Sequence, residues 1–329
     1  MRQDARLSIA ALVPCALLLC AAGCHKNLPP VARVDVQPRA LTLAYPQLTT
    51  VHLTWNPISG LGDESSPELL VFVHLLDAKG QVERTFDHPF PGHWSEGAPV
   101  SDDVKVYQSA VAPPLAAGKY RLSIGLYDRQ GKRWPLDGLG QDLGRREYVG
   151  AEVEVPAQPA GPRFTFSPTW SPVEPGSDRH VVARRWLSSK PGEIRLDEIA
   201  GPGTLWLALR IPPGDGVTEK LVLDDGGSNA PAVVVRGSCG GVETGVSGTG
   251  LHEIEMPVDG QGQQAFCAIT LVPNFHLVPL QPEARVTDRS AYLENAAWLP
   301  GAGRNPAAAA TPAAATPPPP PAPAKPGGS

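Results

Sequence analysis

Glu68 to Asp77 is apolar on both parities, with Leu69, Val71, Val73 and Leu75 alternating with Leu70, Phe72, His74 and Leu76. Such a run suits a central strand covered on both faces. Asp77-Ala78-Lys79-Gly80 then supplies a turn whose glycine is free to take positive φ, and Gln81 to Phe86 returns as the hairpin partner. Leu126-Tyr127-Asp128, Arg129-Gln130-Gly131 and Lys132 to Leu136 form a second such unit. The apolar period is two in Val51-His52-Leu53-Thr54-Trp55 and in Tyr120 to Leu126, and helical patterns are nearly absent. An all-β chain is expected.

Pro156-Ala157-Gln158-Pro159-Ala160-Gly161-Pro162 lacks any apolar period and marks a boundary near the middle of the folded part. About seven or eight strands are expected between Val31 and Val155, which makes residues 34–155 a β-sandwich. Leu115-Ala116-Ala117-Gly118-Lys119-Tyr120 resembles the tyrosine corner of Greek-key sandwiches, where a hydroxyl at a strand entrance bonds back to upstream backbone. The expected form is immunoglobulin-like or fibronectin-like. Residues 163–300 read as a second sandwich, jelly-roll-like and similar to carbohydrate-binding modules. Its clearest strand runs from Thr204 to Ile211, with Leu205, Leu207, Leu209 and Ile211 on one face and Trp206, Ala208 and Arg210 on the other. Further candidates are Glu219 to Asp224, Ala232 to Arg236, Leu251 to Met256, Phe266 to Val272 and Tyr292 to Trp298.

Residues 68 to 136 also look like the extracytoplasmic β-sandwich modules of some bacterial membrane glycosyltransferases. The carrying residues are Val71-Phe72-Val73-His74-Leu75-Leu76-Asp77, Gly80, Asp87-His88-Pro89, Trp94 and Gly118-Lys119-Tyr120-Arg121-Leu122. The resemblance implies an accessory module in the cell envelope, with no reaction attached.

The amino terminus points the same way. Arg2 and Arg6 precede an apolar stretch from Leu7 to Ala22, and Ala21-Ala22-Gly23-Cys24 closes it with small residues and a cysteine. This resembles the lipobox of bacterial lipoproteins, with Ala21 where that family favours a leucine-like residue. The resemblance implies removal of residues 1–23, lipidation of Cys24, and a linker over residues 24–33. Ordinary secretion, with cleavage at the same bond, is the alternative. A retained transmembrane helix would need about 20 apolar residues. Everything after Cys24 should lie outside the cytoplasm. His25 is not the aspartate that retains many enterobacterial lipoproteins at the inner membrane, so an outer-membrane anchor facing the periplasm or cell surface is expected.

Only Cys239 and Cys267 remain after Cys15 and Cys20 leave with the leader and Cys24 takes lipid. Two cysteines in an oxidising compartment read first as a disulfide, worth about 3.6 kcal/mol for a loop of this length in the chain-entropy model. Cys267 shares a face with Ile269 and Leu271 and should point inward. Two separate buried thiols, or a nucleophilic Cys239, are the competing readings.

The whole chain carries 28 Lys plus Arg against 33 Asp plus Glu and shows no basic stripe, so nucleic acid is a poor partner. Residues 301–329 run through alanine, threonine and proline, cannot bury enough apolar surface to fold, and are expected to be disordered, as a spacer or an inert tail.

No catalytic motif and no cofactor is expected. Gly245-Val246-Ser247-Gly248-Thr249 has threonine where a nucleophile elbow needs glycine. His74, His88 and His93, with Asp77 or Asp87, lack zinc-site spacing, and one buried histidine plus loop residues explains them better. Asp224-Asp225-Gly226-Gly227-Ser228-Asn229 lacks the calcium-loop pattern and reads as a hairpin connection. Trp206 with Arg210, and Trp170 or Trp186, are candidates for stacking on sugar rings and bonding hydroxyls. The same tryptophans could instead fill a seam between sheets or domains. Together these features predict a non-enzymatic, lipid-anchored envelope protein that binds or scaffolds glycan or protein. The alternative is an accessory or catalytic subunit of polysaccharide processing.

Overall fold

The computed structural model describes residues 28–61, 68–176, 180–214, 218–224, 230–239, 241–259, 266–280 and 288–301. The leader, Cys24, the segment 225–229 and the tail from residue 302 lie outside them. Among the described residues every regular element is a strand, and the strands form two consecutive sandwiches.

The first sandwich holds β1 (Ala32–Gln37), β2 (Ala40–Thr42), β3 (Leu48–Pro57), β4 (Leu69–Leu76), β5 (Val82–Thr85), β6 (His88–Pro89), β7 (Val100–Tyr107), β8 (Gly118–Asp128), β9 (Arg133–Trp134), β10 (Leu136–Asp137) and β11 (Tyr148–Val155). One sheet has the order β10-β1-β3-β7, and the other has β2-β11-β8-β4-β5 with β6 and β9 at its margins. The chain crosses between sheets after β1, β2, β3, β6, β7, β9 and β10, in an immunoglobulin-like Greek-key pattern. Tyr120 Oη donates to the Ala116 carbonyl at 2.9 Å, completing the tyrosine corner at the start of β8.

Both Asp-x-x-Gly turns are built alike. Gly80 and Gly131 take φ of 79° and 81°, while the Asp77 and Asp128 carboxylates each accept two backbone N–H bonds across their turns. The double-sided β4 has a matching cause. Its inner residues Leu69, Val71, Val73 and Leu75 join Trp55, Leu122 and Ile124 in the core between sheets. Its outward Phe72 is also buried, because the Arg133 guanidinium covers its ring at 4.4 Å. That ring lies over Gly125, where an added Cβ would come within 1.9 Å of it.

The second sandwich holds β12 (Arg163–Phe166), β13 (Glu174–Pro175), β14 (Ala183–Trp186), β15 (Gly192–Asp197), β16 (Gly203–Ile211), β17 (Glu219–Leu223), β18 (Ala232–Gly237), β19 (Glu243–Ser247), β20 (Gly250–Val258), β21 (Phe266–Pro273), β22 (Phe275–Pro279) and β23 (Tyr292–Pro300). Two five-stranded sheets, β12-β15-β21-β18-β19 and β13-β14-β23-β16-β20, face each other in a jelly-roll-like pack, and β17 with β22 makes a small ribbon. Leu205, Leu207, Leu209 and Ile211 fill its core with Ile194, Val235 and Ile269. Cys239 and Cys267 form a disulfide with Cα atoms 5.5 Å apart, and Cys267 is fully buried.

The sandwiches meet end to face. Trp206, Ala208 and Ala297 from the second belong to the first sandwich's core, and Val111 and Ala112 from the first belong to the second's. The backbones are also stitched together, by Ala110 N–H to the Ala296 carbonyl at 2.7 Å and Trp298 N–H to the Pro46 carbonyl at 2.9 Å.

Gly125→Ala should lower unfolding free energy by about 1–3 kcal/mol through overpacking against Phe72. Adding Phe72→Leu should recover more than half of that loss, as measured by urea denaturation of the single and double variants.

Candidate functional site

The seam between the sandwiches carries two adjoining clefts. One, of about 250 Å³, is lined by Thr50, Asp103, Lys105, Thr204, Glu255 and the chain at Leu299–Gly301. The other, of about 330 Å³, is lined by His88, Asp103, Lys105, Glu253, Glu294 and Asn295 over an apolar floor of Tyr107, Trp206 and Ala208. Alternation in β7 and β20 creates this arrangement. Val104 and Val106 of β7 turn into the first core, leaving Asp103 and Lys105 on the other face. In β20, Ile254 and Met256 turn inward, leaving Glu253 and Glu255 outward.

Lys105 is the hinge of the chemistry. Its ammonium pairs with Glu253 and lies 3.3 Å from Glu255. Burial disfavours the charge there, but the two carboxylates outweigh it and raise the lysine pKa. Glu253 Oε2 also accepts the Trp206 indole N–H at 3.1 Å. Burial raises the Tyr107 pKa well above the usual phenol value, with Glu294 and Glu253 adding to it, so this ring stays neutral. The clefts thus offer carboxylate acceptors, an ammonium and an amide in reach of an apolar floor. That set places hydrogen-bond donors and acceptors together beside an apolar surface.

His88 is not poised as a base. Its Nδ1 donates to the Phe86 carbonyl at 2.9 Å, and its Nε2 faces the buried Asp102 carboxylate at 3.0 Å. Asp102 also accepts the N–H of fully buried Trp55 at 3.2 Å. Burial opposes a charged His88, but Asp102 prevails and raises its pKa, and both ring nitrogens are engaged.

His74 lies on the outer face of β4, with Nε2 3.4 Å from Asp87 and Nδ1 3.4 Å from Glu147. At 3.4 Å Glu147 faces Nδ1 at the long limit of a hydrogen bond and adds both that contact and its charge. Burial disfavours the imidazolium, yet the two carboxylates lift its pKa to about 9. Glu147 falls to about 2, chiefly through His74 and, against burial, also through Ser123, whose hydroxyl donates at 2.6 Å. Among the described residues no three metal-binding side chains converge.

The tryptophan candidates separate. Trp206 is 4 % exposed, its ring packed against Tyr107 at 4.8 Å between centroids with the Lys105 ammonium 5.5 Å over it. Trp170 is 5 % exposed, packs edge-on to Phe166 and donates to the Glu193 carbonyl. Trp186 and Arg210 are brought together, since both are in register with Tyr292 on neighbouring strands. Trp186 is 7 % exposed and donates to Glu174, under Arg289 at 4.8 Å; Arg210 pairs with buried Glu294. Partner rings and arginines thus lie against these three indoles, which the sequence left open between sugar stacking and filling a seam. Asp224 pairs with His276 at 2.5 Å, and the rest of that acidic stretch lies outside the described residues. Lys105, Glu253, Glu255 and Asn295 did not stand out in the sequence, where each is an ordinary polar residue on an alternating strand.

No protein-family model matches the chain. No curated protein matches it. Among solved structures, the secreted serine protease VesC from Vibrio cholerae aligns with TM-score 0.23 and 9% identity, over 81% of this chain and 50% of that one. An exo-β-1,3-galactanase from Phanerochaete chrysosporium aligns with TM-score 0.23 and 12% identity, over 80% and 56%. The chain spans about half the length of these two structures, and similarity this low carries no argument about function.

The histidine cluster sets a pH response. A folded pKa near 9 against the ordinary 6.5 means that the stability from His74 is complete below 6.5 and is lost as pH rises through 9. Glu147, at about 2 against 4.5, contributes above 4.5 and loses its share as pH falls through 2. His74→Leu should flatten the decline in melting temperature between pH 6.5 and 9 and lower stability at pH 6 by about 1–3 kcal/mol. Thermal unfolding across that range measures both effects.

Proposed function

We propose that this protein is an exported, lipid-anchored binding module of the bacterial cell envelope, with the seam clefts as its glycan site. The observation that carries the reading is the convergence of Lys105, Glu253, Glu255 and Asn295 on a shared apolar floor between two sandwiches. Paired carboxylates and an ammonium suit neutral sugar hydroxyls, and rigid sheets hold them in place without an ordering cost at binding. The engaged state of both His88 nitrogens supports binding rather than acid–base catalysis at this place. The Cys239–Cys267 disulfide supports export, since such bonds persist in oxidising compartments. The Ala21-Ala22-Gly23-Cys24 sequence supports the anchor.

A glycan array probed with the chain from Cys24 onward should give a defined signal. Lys105→Ala should weaken that binding by about 10-fold or more, the loss of one charged hydrogen-bonding partner, while leaving the melting temperature within a few degrees. Equal binding by the variant would remove the clefts from the account. Glycan turnover by the purified protein would favour a polysaccharide-processing subunit. A co-purifying membrane partner without glycan binding would favour a scaffold.

A further inference from the structure

The end of the first sandwich that receives the amino-terminal linker differs from the end that meets the second. Ala32 at the start of β1 pairs with Pro57 at the end of β3, whereas Leu48 at the other end of β3 pairs with Tyr107 at the seam. The receiving end is built from Leu28–Val31, Pro57–Leu61, the segment before β7, and the Arg129–Lys132 turn. Backbone bonds from Ile58 and Ser59 to the Val31 carbonyl, and from Gly97 to the Pro57 carbonyl, tie three of these together. The Trp94 indole N–H adds a bond to the Ser59 carbonyl at 3.0 Å.

This end carries the two most exposed large apolar side chains among the described residues, Ile58 at 51% and Leu28 at 47%. Neither lies at the seam or in a core. Leu28 follows Cys24 by four residues, so its backbone can stand no more than about 14 Å from that cysteine. A lipid on Cys24 would therefore hold Leu28 and Ile58 near the headgroup layer, where such residues gain from partial burial and where a tryptophan such as Trp94 is favoured.

We propose that this end, led by Leu28 and Ile58 with Trp94 beside them, docks on the bilayer that holds the anchor. The inference rests on the anchored reading above and adds an orientation to it. The attraction is apolar, because Leu28 and Ile58 lead this end and the charged groups among its described residues are of both signs. Arg129 bonds Glu68 at 2.6 Å, Lys132 lies over the Trp134 ring at 4.0 Å, and Glu96 is exposed nearby. Docking should consequently persist in high salt. It also lifts the seam clefts to the far end of β3, whose 10 residues span roughly 33 Å, clear of the lipid surface.

The test separates docking from natural acylation. The chain from Cys24 onward is coupled through the Cys24 thiol to a maleimide-headgroup lipid in phosphatidylcholine vesicles, with the Cys239–Cys267 disulfide kept oxidised. A photo-crosslinking p-azidophenylalanine is placed at Ile58 or, as the control at the seam end, at Lys79. Mass spectrometry should show a lipid adduct at position 58 at least about fivefold above that at position 79, unchanged in high salt. Adding Leu28→Glu should cut the adduct at position 58 severalfold. Equal yields at the two positions would overturn the docking proposal. The intact mass of protein extracted from native membranes reads the anchor separately: absent acyl chains would sink the anchored reading whatever the vesicles show.

Discussion

The contact of Tyr107 with Trp206 is the constraint on which the rest of the molecule depends. Their rings lie 4.8 Å apart, and each is nearly sealed from solvent by the other's sandwich. Around them, backbone hydrogen bonds fix one sandwich on the other, and the Lys105 pairs with Glu253 and Glu255 span the same seam. Two separate β domains on a flexible linker would leave these groups hydrated and scattered. Joined, they place acidic and basic side chains from strands 148 residues apart around shared clefts.

Much of the fold was legible. The two Asp-x-x-Gly turns, the tyrosine corner at Tyr120 and the double-sided β4 are all local patterns, and local patterns are what a sequence displays most openly. The segment Pro156–Pro162 falls between β11 and β12. Short strands such as β13, β14 and β22 escaped notice. Glu174–Pro175, Ala183–Trp186 and Phe275–Pro279 are too brief or too proline-bound to establish a period, and tertiary pairing holds them in place.

The site was much less legible, for a physical reason. Trp206 and Arg210 do share a face of β16, as their alternation suggested, but alternation cannot say what covers that face. Here Tyr107 covers the tryptophan and Glu294 takes the arginine. Lys105 and Glu253 are isolated polar residues in sequence and become neighbours only through docking. The inward position of Cys267 was readable from its strand phase. Its pairing with Cys239 followed from counting thiols.

The central claim is that the sandwiches form one rigid body with the clefts fixed at their seam. Pulsed electron–electron spin resonance between nitroxides at Lys79→Cys and Lys190→Cys, in a Cys24→Ser background, tests it most directly. A single narrow distance distribution, unchanged between frozen solutions of low and high salt, is the predicted result. A broad distribution, or one that widens with salt, would contradict the claim, because it would mean that the seam opens and the clefts are not permanent features.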